Sequence, residues 1–186
     1  MRQLQRRDKG LGLGIIHTAM LSNSIITRLR HQHETLEELV SGFTEEQLRQ
    51  RILPDKWSIH EQAAHLAAYQ PAFYGRLQRM QQENNPLFDR YVADNDPHFH
   101  ECCKESITWL LNYLADKRTL INTYLLTYGE QALQHTGRHP KYGVMSIIGW
   151  TEFFLLHEAH HLFSIFMLAR EMNIKSQQGE SYNFNQ

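Results

Sequence analysis

Two histidines lie four residues apart in a strongly apolar segment near the carboxyl end of the chain. Residues 155 to 168 read LLHEAHHLFSIFML, and slightly more than one helical turn separates His157 from His161. Steps of three and four residues extend their stripe to apolar side chains on both sides: Trp150, Phe154, Ile165 and Leu168. This pattern predicts a helix that directs both imidazoles into a hydrophobic core.

Two imidazoles on one buried stripe favour a metal site. A single core histidine is usually satisfied by hydrogen bonds alone, but burying two polar rings together is costly unless they share a role. Neutral imidazoles stacked at this spacing can chelate a divalent metal. Hydrogen-bonded core histidines remain the alternative interpretation.

The segment from His157 to His161 also matches H-E-x-x-H, the helical zinc pattern in which glutamate is the general base. Metalloproteases with this pattern take a further ligand from a defined downstream position. Only 25 residues follow His161, and Glu171 and Glu180 are the carboxylates among them. A zincin-like protease that uses Glu158 is therefore a minor alternative.

The composition of the chain argues against several classes of protein. Nineteen basic and 20 acidic side chains give a net charge of −1, so no overall field favours nucleic acid or an acidic membrane. A basic start and a short apolar run mimic a signal peptide, but His17 interrupts the run. The adjacent Cys102 and Cys103 provide no disulfide framework and suit a reducing compartment. We expect a cytoplasmic protein that acts on a small molecule and binds neither nucleic acid nor membrane.

Helical periodicity predicts two long helices in the first half of the chain. Apolar positions between residues 16 and 40 follow helical spacing, and a capping box at Thr44 begins a short helix. A second capping box pairs Ser58 with Glu61 and opens the next long helix. Pro71 lies inside this helix and should kink it, because proline removes one hydrogen bond of the helical ladder.

Two further helices are predicted in the second half. The third begins at Pro97, and the fourth runs from about residue 146 to residue 172. Four amphipathic segments without a repeat or an alternating strand pattern predict an all-α four-helix bundle with long crossover connections. Loops 84–97 and 127–145 should form the walls of its pocket. We assign three parts to the chain: a loose basic N-terminal arm at 1–14, a metal-binding bundle at 15–174 and a polar tail at 175–186.

Three motifs resemble those of the DinB-like superfamily, and in particular its DinB/YfiT-like metal-binding branch. They are Trp57-Ser58 followed by His65, the His-Pro-Lys-Tyr-Gly segment at 139 to 143, and the pair of histidines described above. The resemblance extends over roughly residues 20 to 172. It implies a four-helix bundle in which three histidines bind a divalent metal such as nickel or zinc. Carried over to this chain, the ligands are His65, His157 and His161.

The same resemblance implies a reaction class. Members similar to this chain include transferases and isomerases that use low-molecular-weight thiols. We therefore expect a metal-dependent thiol S-transferase or hydrolase, with a low-molecular-weight thiol as a possible cosubstrate, and a non-catalytic bundle that binds metal or a partner as the alternative. Relatives often have glutamine three residues after the last ligand, where this chain has Ser164.

Three neutral nitrogens leave at least one coordination position open, which is typical of a catalytic site. A metal there would deprotonate a bound water or thiol near neutral pH. Glu61 and Glu158 are the candidate catalytic residues, which would orient ligands or move protons. The alternatives are a helix-start charge for Glu61 and a solvent-facing charge for Glu158. His160 should point away from the site, because each helical residue turns the chain by about 100°.

The fourth helix also carries apolar side chains outside its inward stripe. These side chains are Phe153, Leu156, Phe163 and Phe166. Together they present more apolar, mostly aromatic, surface than one helix normally buries in a bundle core. A homodimer could cover this surface. Alternatively, the 127–145 connection and the N-terminal arm fold over this surface.

Overall fold

The computed structural model describes the backbone of residues 20–183 and the side chains of residues 20–174. This part of the chain contains eight α-helices and one two-stranded sheet. The elements in chain order are α1 (Asn23–His31), α2 (Thr35–Val40), α3 (Glu45–Arg49), α4 (Ile59–Gln82), α5 (Pro97–Cys102), α6 (Ile107–Leu126), α7 (Glu130–Leu133), β1 (Thr136–His139), β2 (Gly143–Ser146) and α8 (Ile147–Asn183).

The long helices form the predicted four-helix bundle. α4 packs against both α6 and α8, α1 packs against α6 and α8, and α2 also packs against α8. A short 3₁₀ turn at Gln32–Glu34 joins α1 to α2, so this pair forms one member of the bundle. Among the described residues, no helix is long and apolar enough to cross a membrane.

The helix starts follow the capping residues of the sequence. Both predicted capping boxes form, at Thr44 for α3 and at Ser58 for α4. α4 continues through Pro71 without interruption. The prediction of one continuous third helix was wrong, because Ser106 caps a new helix through its hydrogen bond from the Trp109 N–H.

The helix bounds also differ at the two ends of the described chain. α1 begins at Asn23 rather than residue 16, since the Ser22 side chain caps the Ile25 N–H. Residues 16–19 and the predicted arm at 1–14 lie outside the described residues. At the other end, the backbone of α8 continues to Asn183, into the segment assigned as a tail.

A β-hairpin occupies part of the connection between α6 and α8, where no strand was predicted. Thr136 pairs with Ser146 and His139 pairs with Gly143 at its two ends. The buried positions of β1 are Gly137 and His139, which no hydrophobic pattern marks. A Cβ atom on Gly137 would lie 2.5 Å from the Phe88 ring, so glycine permits this close packing.

Buried apolar side chains form two clusters along the bundle. One includes Leu66 and Ile165, and the other includes Phe73 and Phe154. The inward stripe predicted for α8 is confirmed, since all four of its apolar members are buried: Trp150, Phe154, Ile165 and Leu168. On α8 the two clusters meet at residues 157–161, which places the histidines at a polar level between two apolar layers.

Candidate metal centre

His65 on α4 meets His157 and His161 on α8 at this polar level. The Nε2 atom of His157 lies 3.1 Å from the Nε2 atoms of both His65 and His161. One ligand atom from each of the three residues lies within 4.8 Å of the others. The structure therefore brings together the three residues that the sequence and the resemblance selected, which we call the histidine triad.

The spacing of the triad fits a metal ion. Two nitrogens bound at about 2.0 to 2.1 Å to a tetrahedral ion would lie about 3.3 Å apart, close to the two measured separations. Without a cation, an N–H···N hydrogen bond can pair only two of the three converging ring nitrogens, because each nitrogen of a neutral imidazole offers either one proton or one lone pair. The donor set of three imidazoles suits zinc, nickel and related divalent ions.

Burial keeps the triad in the neutral form that a metal requires. It lowers the pKa of His65 to about 3, with a further contribution from His157. Burial likewise lowers the pKa of His157 to about 4 and that of His161 to about 2, and neighbouring histidines add to both shifts. At neutral pH each ring is therefore uncharged and keeps a lone pair on one nitrogen for a metal.

Gln62 fixes the orientation of one ring of the triad. Its Oε1 atom lies 2.5 Å from Nδ1 of His161, so Nδ1 carries the proton and Nε2 keeps its lone pair. Sequence analysis missed this residue, although Gln62 lies three positions before His65 on the same face of α4. Ser164 does not take this role, since its hydroxyl donates to the His160 carbonyl of its own helix.

Aromatic rings surround the triad. The ring centroid of Trp57 lies 5.2 Å from that of His65 and 6.3 Å from that of His161. Tyr69 lies 4.6 Å from His157, and Tyr91 lies 5.6 Å from His65. These apolar faces shield the histidines from water and account for the loss of hydration that lowers their pKa values.

A cavity of about 500 Å³ opens onto His65 and His157. Its walls come from both predicted loops, with Tyr91 in the first and Tyr142 in the second. The conspicuous segment at 139–143 thus lies at the site, in the turn between β1 and β2. A small molecule could reach the triad through this cavity.

Glu61 stabilises the start of α4, which was the alternative to a catalytic role. Its carboxylate accepts the Ser58 N–H in the capping box and pairs with Arg51 at the protein surface. The structure gives it no contact with the triad among the described residues. Its position offers no support for a catalytic role.

Glu158, the second candidate catalytic residue, does not have the solvent-facing position that was its alternative. Glu158 is buried and forms an ion pair with the buried Arg118 of α6. The Gln32 side chain donates a second hydrogen bond of 2.8 Å to its carboxylate. Since both carboxylate oxygens have partners away from the triad, Glu158 cannot serve as the general base of a zincin-like site. The predicted position of His160 is confirmed, because it is exposed and outside the triad.

A family model of the DinB superfamily matches residues 28–165, well over half of the chain. The chain belongs to the DinB superfamily. Among curated proteins, no sequence gives a significant match. The family assignment therefore rests on the family model, and the solved structures add the fold.

Three solved structures resemble this DinB-superfamily protein. YfiT from Bacillus subtilis, a probable metal-dependent hydrolase with an unusual four-helix bundle topology, is 19% identical at a TM-score of 0.70, over 81% of this chain and 86% of YfiT. The four-helix bundle protein TT2238 is 20% identical at a TM-score of 0.55, over 76% of this chain and 94% of its own. A mycothiol-dependent maleylpyruvate isomerase is 13% identical at a TM-score of 0.59, over 81% of this chain and 61% of the isomerase. At these identities the likeness shows the shared fold.

Proposed function

We propose that this protein is a divalent-metal-dependent enzyme whose ion is bound by His65, His157 and His161. The observation that carries the proposal is the convergence of three neutral imidazoles, two of which, His65 and His157, line a cavity. A structural metal site would be closed by a fourth protein ligand, whereas among the described residues the cluster contains three. We place its action in the cytoplasm, on a small molecule, without nucleic acid or membrane.

The reaction class proposed is hydrolysis or transfer to a thiol. A bound nickel or zinc ion would supply a water or a low-molecular-weight thiol with a pKa lowered to near neutrality. Gln62 holds His161 in the tautomer that exposes Nε2, and the rings of Trp57 and Tyr69 exclude bulk water. The descriptions of YfiT as a probable metal-dependent hydrolase and of the isomerase as mycothiol-dependent support the two options.

Elemental analysis followed by a turnover screen tests the proposal. We expect about one divalent ion per chain in the purified protein, and a His157→Ala variant that loses it. Ester hydrolysis and the transfer of small thiols to electrophiles should then be assayed with and without a chelator. Turnover that stops with chelator and returns with metal supports the enzyme, whereas bound metal without turnover supports a non-catalytic binder.

The affinity for metal should change little between pH 7 and pH 5.5. Protons compete with the metal only below the pKa values of the folded triad, which are about 2 to 4. Three histidines with the ordinary pKa of about 6.5 would lose affinity by a factor on the order of 500 over this range. We expect less than about a twofold change, measured by equilibrium dialysis of folded protein. A loss above about a hundredfold would show that the rings titrate normally.

The exposed face of α8 leads us to propose a homodimer. Leu156, Phe163 and Phe166 are 57%, 63% and 47% exposed and lie along one helix, whereas Phe153 packs against the hairpin at Tyr142. Light scattering at micromolar concentration should give about 44 kDa, twice the 22.0 kDa of one chain.

A charged substitution in this face should dissociate the dimer. Phe163→Glu is expected to give a monomer, while Leu126→Glu, at a similarly exposed apolar site on α6, should leave the mass unchanged. A monomeric mass for the wild-type protein would refute the proposed dimer and indicate that another segment covers this face of α8.

A further inference from the structure

In the part of the chain that the structure describes, the cavity beside the triad is lined by three cationic side chains, Arg76, Arg90 and Lys141, and by no carboxylate. Among the described residues, none of the three forms an ion pair with an acidic side chain. Uncompensated positive charge in a concave site attracts anions and raises their local concentration. The chain as a whole is nearly neutral, so this charge is a local property of the cavity.

Arg76 is held in place by neutral groups. Its guanidinium donates to the Tyr69 hydroxyl at 2.9 Å and to the Asp89 carbonyl at 2.9 Å. It also lies over the ring of Trp150, 5.3 Å from the centroid. These contacts fix the side chain without neutralising its charge, which prepares it to bind a planar anionic group.

His139 adds a neutral donor to the same cavity. Its Nδ1 atom accepts the backbone N–H groups of Lys141 and Tyr142, both at 3.1 Å. The ring proton must therefore be on Nε2, which has no hydrogen-bond partner among the described residues. Burial and the charges of Arg76 and Lys141 lower the pKa of His139, so the ring remains neutral. Its Nε2–H is free to donate to a bound molecule.

We infer that the substrate of this cavity is a small organic anion whose carboxylate is bound by Arg76, Lys141 and the Nε2–H of His139. The faces of Tyr142 and Phe153, whose ring centroids lie 5.4 Å apart in the wall, suit an apolar or aromatic body. His65 and His157 border the same cavity, so the rest of the molecule would face the triad. This inference rests on the proposed function, because it specifies the substrate class of the same site.

The test compares benzoate with benzamide on metal-free protein, because a metal would itself bind a carboxylate. The two probes share shape and ring, and differ in charge. Titration followed by NMR should show benzoate binding at least about fivefold more tightly than benzamide, as expected for a charge-assisted contact of about 1 kcal/mol. Equal affinities, or binding of neither probe, would overturn the inference.

Three substitutions in the hairpin test whether benzoate binds in the cavity or responds to the general charge of the protein. Lys141→Gln should weaken benzoate binding about threefold to fivefold, whereas Arg138→Gln, which removes one charge from an exposed strand position outside the lining, should not change it. Equal weakening in both variants would contradict the inference. His139→Asn keeps an acceptor for the turn and removes the Nε2–H, so it should also weaken benzoate and spare benzamide.

The metal-free design keeps this inference independent of the metal itself. Benzoate preference in a protein that never binds metal would leave the anion site standing and refute the proposed enzyme. Metal binding by the triad without benzoate preference would refute the anion site alone.

Discussion

Replacing Arg118 by methionine is expected to lower the free energy of unfolding by about 3 to 5 kcal/mol, the range found when one partner of a buried ion pair is removed. Arg118 and Glu158 are both buried, and the substitution would leave a carboxylate without its countercharge. Arg118 also donates to the Gln70 side chain at 3.2 Å and to the Leu29 carbonyl at 3.3 Å. Four helical segments therefore meet at this one guanidinium.

Urea denaturation of three variants measures this effect. Arg118→Met with Glu158→Leu should recover most of the loss, because an apolar pair leaves no unpaired buried charge. Arg28→Met is the matched control, since the Arg28–Glu152 pair likewise joins another helix, α1, to α8 but is partly exposed. Its loss should stay below about 1 kcal/mol. Similar losses for Arg28→Met and Arg118→Met would contradict a special role for the buried pair.

The buried ion pair also matters for the triad, because Glu158 directly follows His157 on α8. Arg118 and Gln32 hold Glu158 on one side of the helix. The helical turn of about 100° per residue then directs His157 toward α4 and His65. The contacts of Glu158 and the buried apolar stripe of α8 are therefore consistent with one rotation of the helix, the one that brings His157 to His65.

The triad shows what sequence alone could predict. The four-residue spacing of His157 and His161 among apolar neighbours placed both rings on the buried face of α8, and the structure agrees. Their partner on α4, His65, was predicted from the resemblance to the DinB-like superfamily. Helical periodicity alone did not select it, because it places His65 beside the centre of the apolar stripe of α4. Periodicity describes one helix at a time and gives no distance between helices.

The buried ion pair of Glu158 with Arg118 has a signal in the sequence that sequence analysis did not use. The buried face of α6 runs through Leu110, Leu114, Ile121 and Leu125, and Arg118 occupies the gap in that stripe at helical spacing. A buried arginine requires a carboxylate nearby, and Glu158 lies on α8 directly after His157 of the inward stripe. The hairpin gave no comparable signal, because its buried strand positions are glycine and histidine.

Metal should stabilise the folded protein, and His161→Ala should remove most of that gain. A ligand that binds only the folded state at a hundredfold excess over its dissociation constant adds about 2.7 kcal/mol to the free energy of unfolding. His161 provides one of the three converging nitrogens, and its Nδ1 atom is already held by Gln62. Its loss would remove both the ligand and the orientation of the site.

His160→Ala is the matched control for this experiment, because it removes the same side chain one residue earlier on α8. His160 is exposed and its ring lies outside the triad, 5.3 Å from that of His161 between centroids. Thermal unfolding with zinc or nickel, and with chelator as reference, gives the metal-dependent shift of each variant. The shift should nearly vanish in His161→Ala and persist in His160→Ala. Equal shifts in the two variants would refute the triad as the metal site, since His161 points into the triad whereas His160 is turned away from it by about 100° around the helix.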